Sequence, residues 1–187
     1  GMKFWAFIVG AAPLGPALED FWKRLGFVVI QGYGLTEASP IVCGNPLDRR
    51  EFDGSVGLPF PSTEVAIFDE SGAELGTDEV GEICVRGPQV MMGYWKNETA
   101  TKEVLTDDGW LLTGDVAQMD EEGYFRIIAR KADMWYPNHH KKEPAFPRDI
   151  EEVIYEIPQV KEVAVTAIAG RPFAFVIADK EPPMPKA

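Results

Sequence analysis

The first thirty residues limit the fold more than any other stretch. Residues 3–9 are an apolar run that Gly10-Ala11-Ala12-Pro13 stops. Pro16 suits the first position of a helix, Leu18, Phe21, Trp22 and Leu25 recur at helical spacing, and Gly26 ends it. Residues 27–30 are a second apolar run. Strand, helix and strand over so short a length imply two parallel strands with the helix on one face. Ligands of such layers gather at the carboxyl ends of the strands. Gly10-Ala11-Ala12 and the following tight segment Gly32-Tyr33-Gly34-Leu35-Thr36-Glu37 both fall there, so they can face each other.

From Gly57 to Arg130 the texture changes to short alternating runs at 64–68, 82–86, 114–118 and 124–128. Asp69-Glu70-Ser71-Gly72 and Asp120-Glu121-Glu122-Gly123 between them read as hairpin turns. Residues 99–105 predict one short helix. Residues 131–147 are irregular, and Ile150, Val153, Ile154 and Ile157 then set an apolar stripe on a helix that Pro158 stops. Strands are predicted at 160–168 and 173–178, and order is not expected far into the tail from Glu181. The fold class is therefore mixed α/β (α+β), in three parts. Residues 2–56 form the end of a parallel α/β layer, 57–130 an antiparallel, barrel-like subdomain, and 131–187 a linker and the start of a small α+β domain.

The charge balance bears on function. Thirty acidic against 18 basic residues give a net charge of -12, which argues against a general nucleic-acid binder. Two cysteines, Cys43 and Cys84, form no metal-ligand pattern. Without a secretion signal they read as reduced thiols of a cytoplasmic protein. No apolar run approaches the length of a transmembrane helix. Gly1 before Met2 reads as a tag remnant.

The most informative stretch is Gln31 to Glu37. Its two glycines let the backbone turn sharply and approach a ligand. Tyr33 can stack on a flat base, Thr36 offers a hydroxyl, and Glu37 a carboxylate. Beside phosphates that carboxylate would need a bridging cation, which implies Mg2+. The same residues also suit a plain strand-end turn with an exposed tyrosine. His139 and His140 are adjacent, so their side chains do not converge easily on a metal, and a solvated polar loop explains them as well.

Further motifs follow in order: Gly81-Glu82-Ile83 with Gly87 and Gly93-Tyr94-Trp95; Leu112-Thr113-Gly114-Asp115; Arg130-Lys131-Ala132-Asp133; and Phe146-Pro147-Arg148-Asp149-Ile150-Glu151. With QGYGLTEASP at Gln31 to Pro40, their order and spacing resemble the adenylate-forming superfamily of acyl-CoA synthetases, peptide adenylation domains and luciferases. Gln31 to Pro40 and Asn97 to Trp110 look most like long-chain fatty-acyl-CoA synthetases. The resemblance implies ATP, Mg2+ and CoA as co-substrates and cofactor, and a fatty acid as partner. It implies that Gly10, Ala11 and Ala12 line an adenine pocket, with Tyr33 and Gly34 against the base. Thr36 and Glu37 would carry the catalytic roles, Thr36 at the α-phosphate and Glu37 on Mg2+. Asp115 would accept hydrogen bonds from both ribose hydroxyls, and Arg130 would also touch the ribose. Without the resemblance, Asp115 is a turn residue after Gly114 and Arg130 an ordinary surface charge.

Some of the family's pattern is missing from these residues. The Ser/Thr/Gly-rich phosphate loop with its lysine is absent, as is most of an acyl pocket. Lys180 and Lys186 lack the flanking pattern of the family's C-terminal lysine. The hinge position, usually Asp or Lys, is Ala132, and the loop after it is altered. The expectation is thus an incomplete long-chain acyl-CoA synthetase, inactive by itself. Another acyl-adenylating enzyme, using a carrier protein or stopping at acyl-AMP, and a non-catalytic nucleotide-binding or interaction module are the competing readings. Peripheral membrane contact and self-association are partners this reading also admits.

Overall fold

A computed structural model describes residues 4–10, 14–47, 54–137 and 144–178. The chain divides into two compact units, residues 1–128 and 129–187.

In the first unit, β1 (Ala6–Val9) and β2 (Val28–Gly34) pair in parallel, from Ala6 opposite Val28 to Val9 opposite Gln31. Between them runs α1 (Pro16–Arg24). Gly26, at φ 85°, ends it with two return bonds: Gly26 N–H to the Lys23 carbonyl, 2.9 Å, and Phe27 N–H to the Trp22 carbonyl, 3.1 Å. This pair satisfies carbonyls the helix leaves open, and glycine adopts the left-handed backbone without steric cost. Phe27 also meets Trp22, ring centroids 5.7 Å apart, and Trp22 meets Phe7 at 4.7 Å. Of the predicted helix stripe only Trp22 turns inward; Leu18, Phe21 and Leu25 are exposed.

The structure corrects the reading of Gly32 to Glu37 as a tight turn. β2 stays extended through Gly34, and the bend is a 3-10 turn, Thr36–Ala38, followed by Ser39 at φ 55°. β3 (Ile41–Gly44) then returns antiparallel, with Tyr33 opposite Cys43, and β4 (Leu58–Pro59) completes the sheet in the order β1-β2-β3-β4. The glycines serve close approach. A Cβ on Gly34 would lie 1.7 Å from the Pro40 carbonyl oxygen, and one on Gly32 would lie 3.0 Å from that of Cys43. The sequence reading predicted neither β3 nor β4.

The second sheet is a meander in the order β5 (Glu64–Phe68), β6 (Val80–Arg86), β7 (Leu111–Met119), β8 (Phe125–Arg130), antiparallel from β5 through β7. α2 (Glu98–Val104) precedes β7, and the Asn97 side chain caps it by accepting from Ala100 N–H. The sheets meet at a corner. Val56 N–H donates to the Phe125 carbonyl at 2.8 Å and Phe125 N–H to that of Gly57 at 3.1 Å, directly before β4. The change of sheet falls between Pro59 and Glu64, inside one compact unit. Both sheets share one core of Ala38, Val42, Cys43, Ile67, Ile83, Val85, Leu111, Ala117 and Phe125. Cys43 and Cys84 are buried thiols that form no disulfide, and burial pushes the Cys43 thiol up to about 12.

The second unit takes in the last residues of β8, then a 3-10 turn, Lys131–Asp133, and a two-bond bridge between Trp135 and Ala145. α3 (Pro147–Tyr155) packs on β9 (Val160–Ile168), which forms a hairpin with β10 (Arg171–Ala178) through Ala169 and Gly170, both at positive φ. Helix side chains satisfy strand amides: Val165 N–H donates to Glu151 Oε1 at 2.8 Å. His139, His140, Lys180 and Lys186 lie outside the described residues.

Two glycines separate backbone strain from crowding. Gly72, at φ 81°, has open space around it, whereas Gly57, at φ 98°, would place a Cβ 2.0 Å from the Gly44 carbonyl carbon. Gly72→Ala is expected to cost about 1–2 kcal/mol, the left-handed backbone alone. Gly57→Ala adds overpacking of about 1–3 kcal/mol. Urea unfolding of both variants measures the gap, and equal losses would contradict the crowding at Gly57.

Candidate functional site

The site is built where β2 passes β7. Gly10, just beyond the carboxyl end of β1, lies beside β2, since a Cβ there would sit 3.6 Å from the Gly32 carbonyl oxygen. Tyr33 follows, and its hydroxyl donates to Asp115 Oδ2 at 2.6 Å across 82 residues of sequence. Asp115 is 4% exposed. A carboxylate so far from water needs strong donors, and a phenol at this distance is one.

β7 bulges to present that carboxylate. Glu82 pairs with Val116 and Cys84 with Leu112, so Thr113, Gly114 and Asp115 all stand opposite Ile83. Gly114 takes φ 72°. Thr113 Oγ1 donates to the Ile83 carbonyl at 2.7 Å and accepts from Asp115 N–H at 3.1 Å. Gly114 N–H donates to Glu82 Oε1 at 2.9 Å.

Thr36 and Glu37 stand on the 3-10 turn anchored by the buried Ala38. Thr36 is exposed and Glu37 half-buried. The Glu37 carbonyl accepts from Met91 N–H at 2.8 Å, and its Oε1 accepts from the Tyr94 hydroxyl at 2.9 Å. That hydrogen bond, helped by partial desolvation and the charge of Glu37, holds the Tyr94 phenol above its ordinary value. Among the described residues no three His, Cys, Asp or Glu side chains gather to hold a metal. A single carboxylate suits Mg2+ that takes its other ligands from substrate phosphates and water.

Gly10, Tyr33 and Asp115 thus come together, with Thr36 and Glu37 a few residues along the same segment. Ala11 and Ala12 lie outside the described residues. Arg130 is exposed at the end of β8 and Ala132 sits in the 3-10 turn after it, both in the second unit. The sequence reading assigned no role to Tyr94, Glu82 or Thr113. All three stand in motifs it quoted, but the partners of Glu82 and Thr113 depend on strand register and that of Tyr94 on the meeting of two non-strand segments. A cavity of about 270 Å3 elsewhere is lined by Ser55, Asp78, Gln118, Asp120, Tyr124 and Arg126 and contains none of the predicted residues. Several of its polar groups serve the fold: Gln118 Nε2 donates to the Asp78 carbonyl and Ser55 Oγ to that of Phe125.

A parallel strand pair with a buried carboxylate and a phenol near its carboxyl edge, leaning on an antiparallel sheet, defines a mixed α/β protein with a buried polar contact between its sheets. Known proteins make the class specific. Residues 3–95 match the family described as AMP-binding enzyme. The chain is 46% identical over 160 residues to a long-chain-fatty-acid–CoA ligase of Yersinia pestis, covering 85% of this chain and 28% of that protein. It superposes with a TM-score of 0.84 and 30% identity on O-succinylbenzoate coenzyme A synthetase of Bacillus subtilis in complex with AMP, covering 96% of this chain and 37% of that one. ATP-bound MatB of Rhodopseudomonas palustris matches with a TM-score of 0.83 at 34% identity, over 96% of this chain and 36% of that one. The chain belongs to the AMP-binding enzyme family, and it spans under a third of the length of the curated ligase it matches.

Two contacts yield direct tests. Tyr33→Phe removes a hydrogen bond to a buried carboxylate and is expected to cost about 1.5–3 kcal/mol in urea unfolding. No loss would mean that the Tyr33–Asp115 bond does not hold in solution. A phenol raised in the folded state contributes stability that is complete below its unfolded value of 10.0 and is lost as pH rises through the folded value. Tyrosine absorbance is therefore expected to show a late-titrating component that Glu37→Gln brings earlier. Identical titrations would refute the Tyr94–Glu37 bond.

Proposed function

We propose that this chain is part of an enzyme that activates a fatty carboxylate with ATP and passes the acyl group to CoA. In this reading the segment supplies the base, ribose and α-phosphate side of the nucleotide site. The observation that carries it is the buried Asp115 carboxylate held by Tyr33. An ionised carboxylate offers only acceptors, which suits two neighbouring ribose hydroxyls. Tyr33 can then turn its ring to the base while its hydroxyl stays on Asp115. The names of the relatives support the substrate class: the Yersinia pestis protein is a long-chain-fatty-acid–CoA ligase. The Bacillus subtilis synthetase has been solved with ATP and a magnesium ion, at a TM-score of 0.82 to this chain.

The reaction needs position and charge more than covalent help from the protein. A fatty carboxylate oxygen attacks the α-phosphorus of ATP, the bond to the β-phosphate's bridging oxygen breaks, and acyl-AMP and pyrophosphate result. The CoA thiol then attacks the acyl carbonyl and AMP leaves. Thr36, exposed at the start of its turn, would donate to an α-phosphate oxygen. Glu37 would hold Mg2+, which neutralises phosphate charge when bound. Tyr94 would keep the Glu37 carboxylate oriented. The family resemblance would give Arg130 a ribose contact and Ala132, also in the second unit, the hinge position.

These 187 residues include no Ser/Thr/Gly-rich run leading into a lysine. The chain alone is therefore expected to bind AMP weakly and to show no ATP–pyrophosphate exchange with fatty acids. Each missing phosphate donor is worth about 3–4 kcal/mol in the transition state. Asp115→Ala is expected to weaken AMP binding by about 1.5–3 kcal/mol in calorimetry. Unchanged AMP affinity would remove Asp115 from the site. Robust exchange abolished by Glu37→Ala would show that the phosphate side is complete without further residues.

A further inference from the structure

We propose that Glu82 and Thr113 are positioning residues for the Asp115 carboxylate, acting through the bulge of β7 rather than by touching the ligand. Between Cys84 and Glu82 the β6 strand advances two residues, while β7 advances four, from Leu112 to Val116. A ladder interrupted in this way leaves backbone donors and acceptors without strand partners, and buried ones must find others. Here side chains supply them. Glu82 reaches across from β6 to accept Gly114 N–H at 2.9 Å, a charge-assisted bond stronger than the ladder bond it replaces. Thr113 does two things with one hydroxyl. It donates to the Ile83 carbonyl at 2.7 Å, opposite the bulge, and accepts Asp115 N–H at 3.1 Å.

The three bonds fix three consecutive residues against one. Gly114 permits the arrangement, since its φ is 72° and open space surrounds the position of a Cβ. The bulge carries Asp115 out of the regular pleat and aims Oδ2 at the Tyr33 hydroxyl, 2.6 Å away. The three bonds run to β6 or within the bulge, so Glu82 and Thr113 fix the backbone from which the Asp115 carboxylate meets Tyr33. In a site that recognises a ligand by geometry, a displacement of about 1 Å in a supporting element can cost about a hundredfold. The inference rests on the nucleotide reading only for its effect on binding; the effect on the bulge stands without it.

The test uses the 187-residue chain, with amide hydrogen exchange by NMR and calorimetric titration of AMP. Glu82→Ala is expected to speed exchange at the Gly114 amide while the Ile67 and Val85 amides of the same sheet keep their rates. It is also expected to raise the AMP dissociation constant about ten- to a hundredfold. Glu82→Gln keeps an oxygen that can accept Gly114 N–H, so it should restore both readouts towards wild type. A residue that merely stabilised the sheet would not show that rescue together with unchanged rates at Ile67 and Val85. Thr113→Val, of similar shape without the hydroxyl, should free the Asp115 amide in the same way, and it carries the test if Glu82→Ala does not fold. Unchanged exchange at Gly114 in Glu82→Ala, or failure of Glu82→Gln to restore it, overturns the inference. So does AMP affinity that falls in Asp115→Ala and stays constant in Glu82→Ala and Thr113→Val. If AMP affinity is indifferent to Asp115→Ala while exchange at Gly114 responds as described, the nucleotide reading fails and the positioning role stands.

Discussion

The hydrogen bond from Tyr33 to Asp115 joins two sheets that also share an apolar core and the backbone corner at Gly57 and Phe125. That core, from Val42 and Cys43 on one side to Ile83, Leu111 and Phe125 on the other, is non-directional. It presses the sheets together, and directional bonds at the corner and at Tyr33 set how one is turned against the other. A 2.6 Å bond between a phenol on β2 and a carboxylate that is 4% exposed on β7 has one geometry only. Its cost is a buried charge, and that cost makes the bond informative. A carboxylate replaced by an apolar side chain would serve the core as well or better. Its presence in the middle of β7, bonded to Tyr33 near the carboxyl end of β2, fits a ligand site better than a structural need.

Around this bond the chain places glycines where neighbouring backbones come closest. Gly34 lets Pro40 approach, Gly57 lets Gly44 approach, and Gly114 lets β7 bulge. The two acidic residues of the site are each oriented by a hydrogen bond from a separate segment: Asp115 by Tyr33, Glu37 by Tyr94. Local order in the strands thus becomes a defined direction for charge. Placement and electrostatics of this form are what the proposed adenylate transfer would draw on.

Much of this is legible in the sequence where the signal is local. The spans of β5 and β9 follow from it directly, because runs rich in β-branched residues and bounded by turn residues suit a half-buried strand. α1 and α2 emerge within a few residues from Pro16, Gly26 and the apolar spacing. β3 and β4 do not, since four and two residues between prolines and glycines carry no periodicity; distant partners define them. Gly32 and Gly34 suggest a turn because glycine marks both bends and close approaches, and only the return of β3 tells which. The meeting of Tyr33 with Asp115 is expected from a family resemblance and not from spacing. The bond from Gly114 to Glu82 follows from register and that from Tyr94 to Glu37 from two non-strand segments meeting in the fold, neither of which one sequence reveals.

The central claim is that the nucleotide lies where Tyr33 and Asp115 meet. The most direct measurement is an AMP titration of isotope-labelled chain followed by NMR. The account predicts shift changes concentrated at residues 32–37 and 113–116, with the second sheet's outer strand β5 unmoved. Changes centred instead on the separate cavity at Ser55, Gln118 and Arg126, with Tyr33 and Asp115 silent, would contradict it.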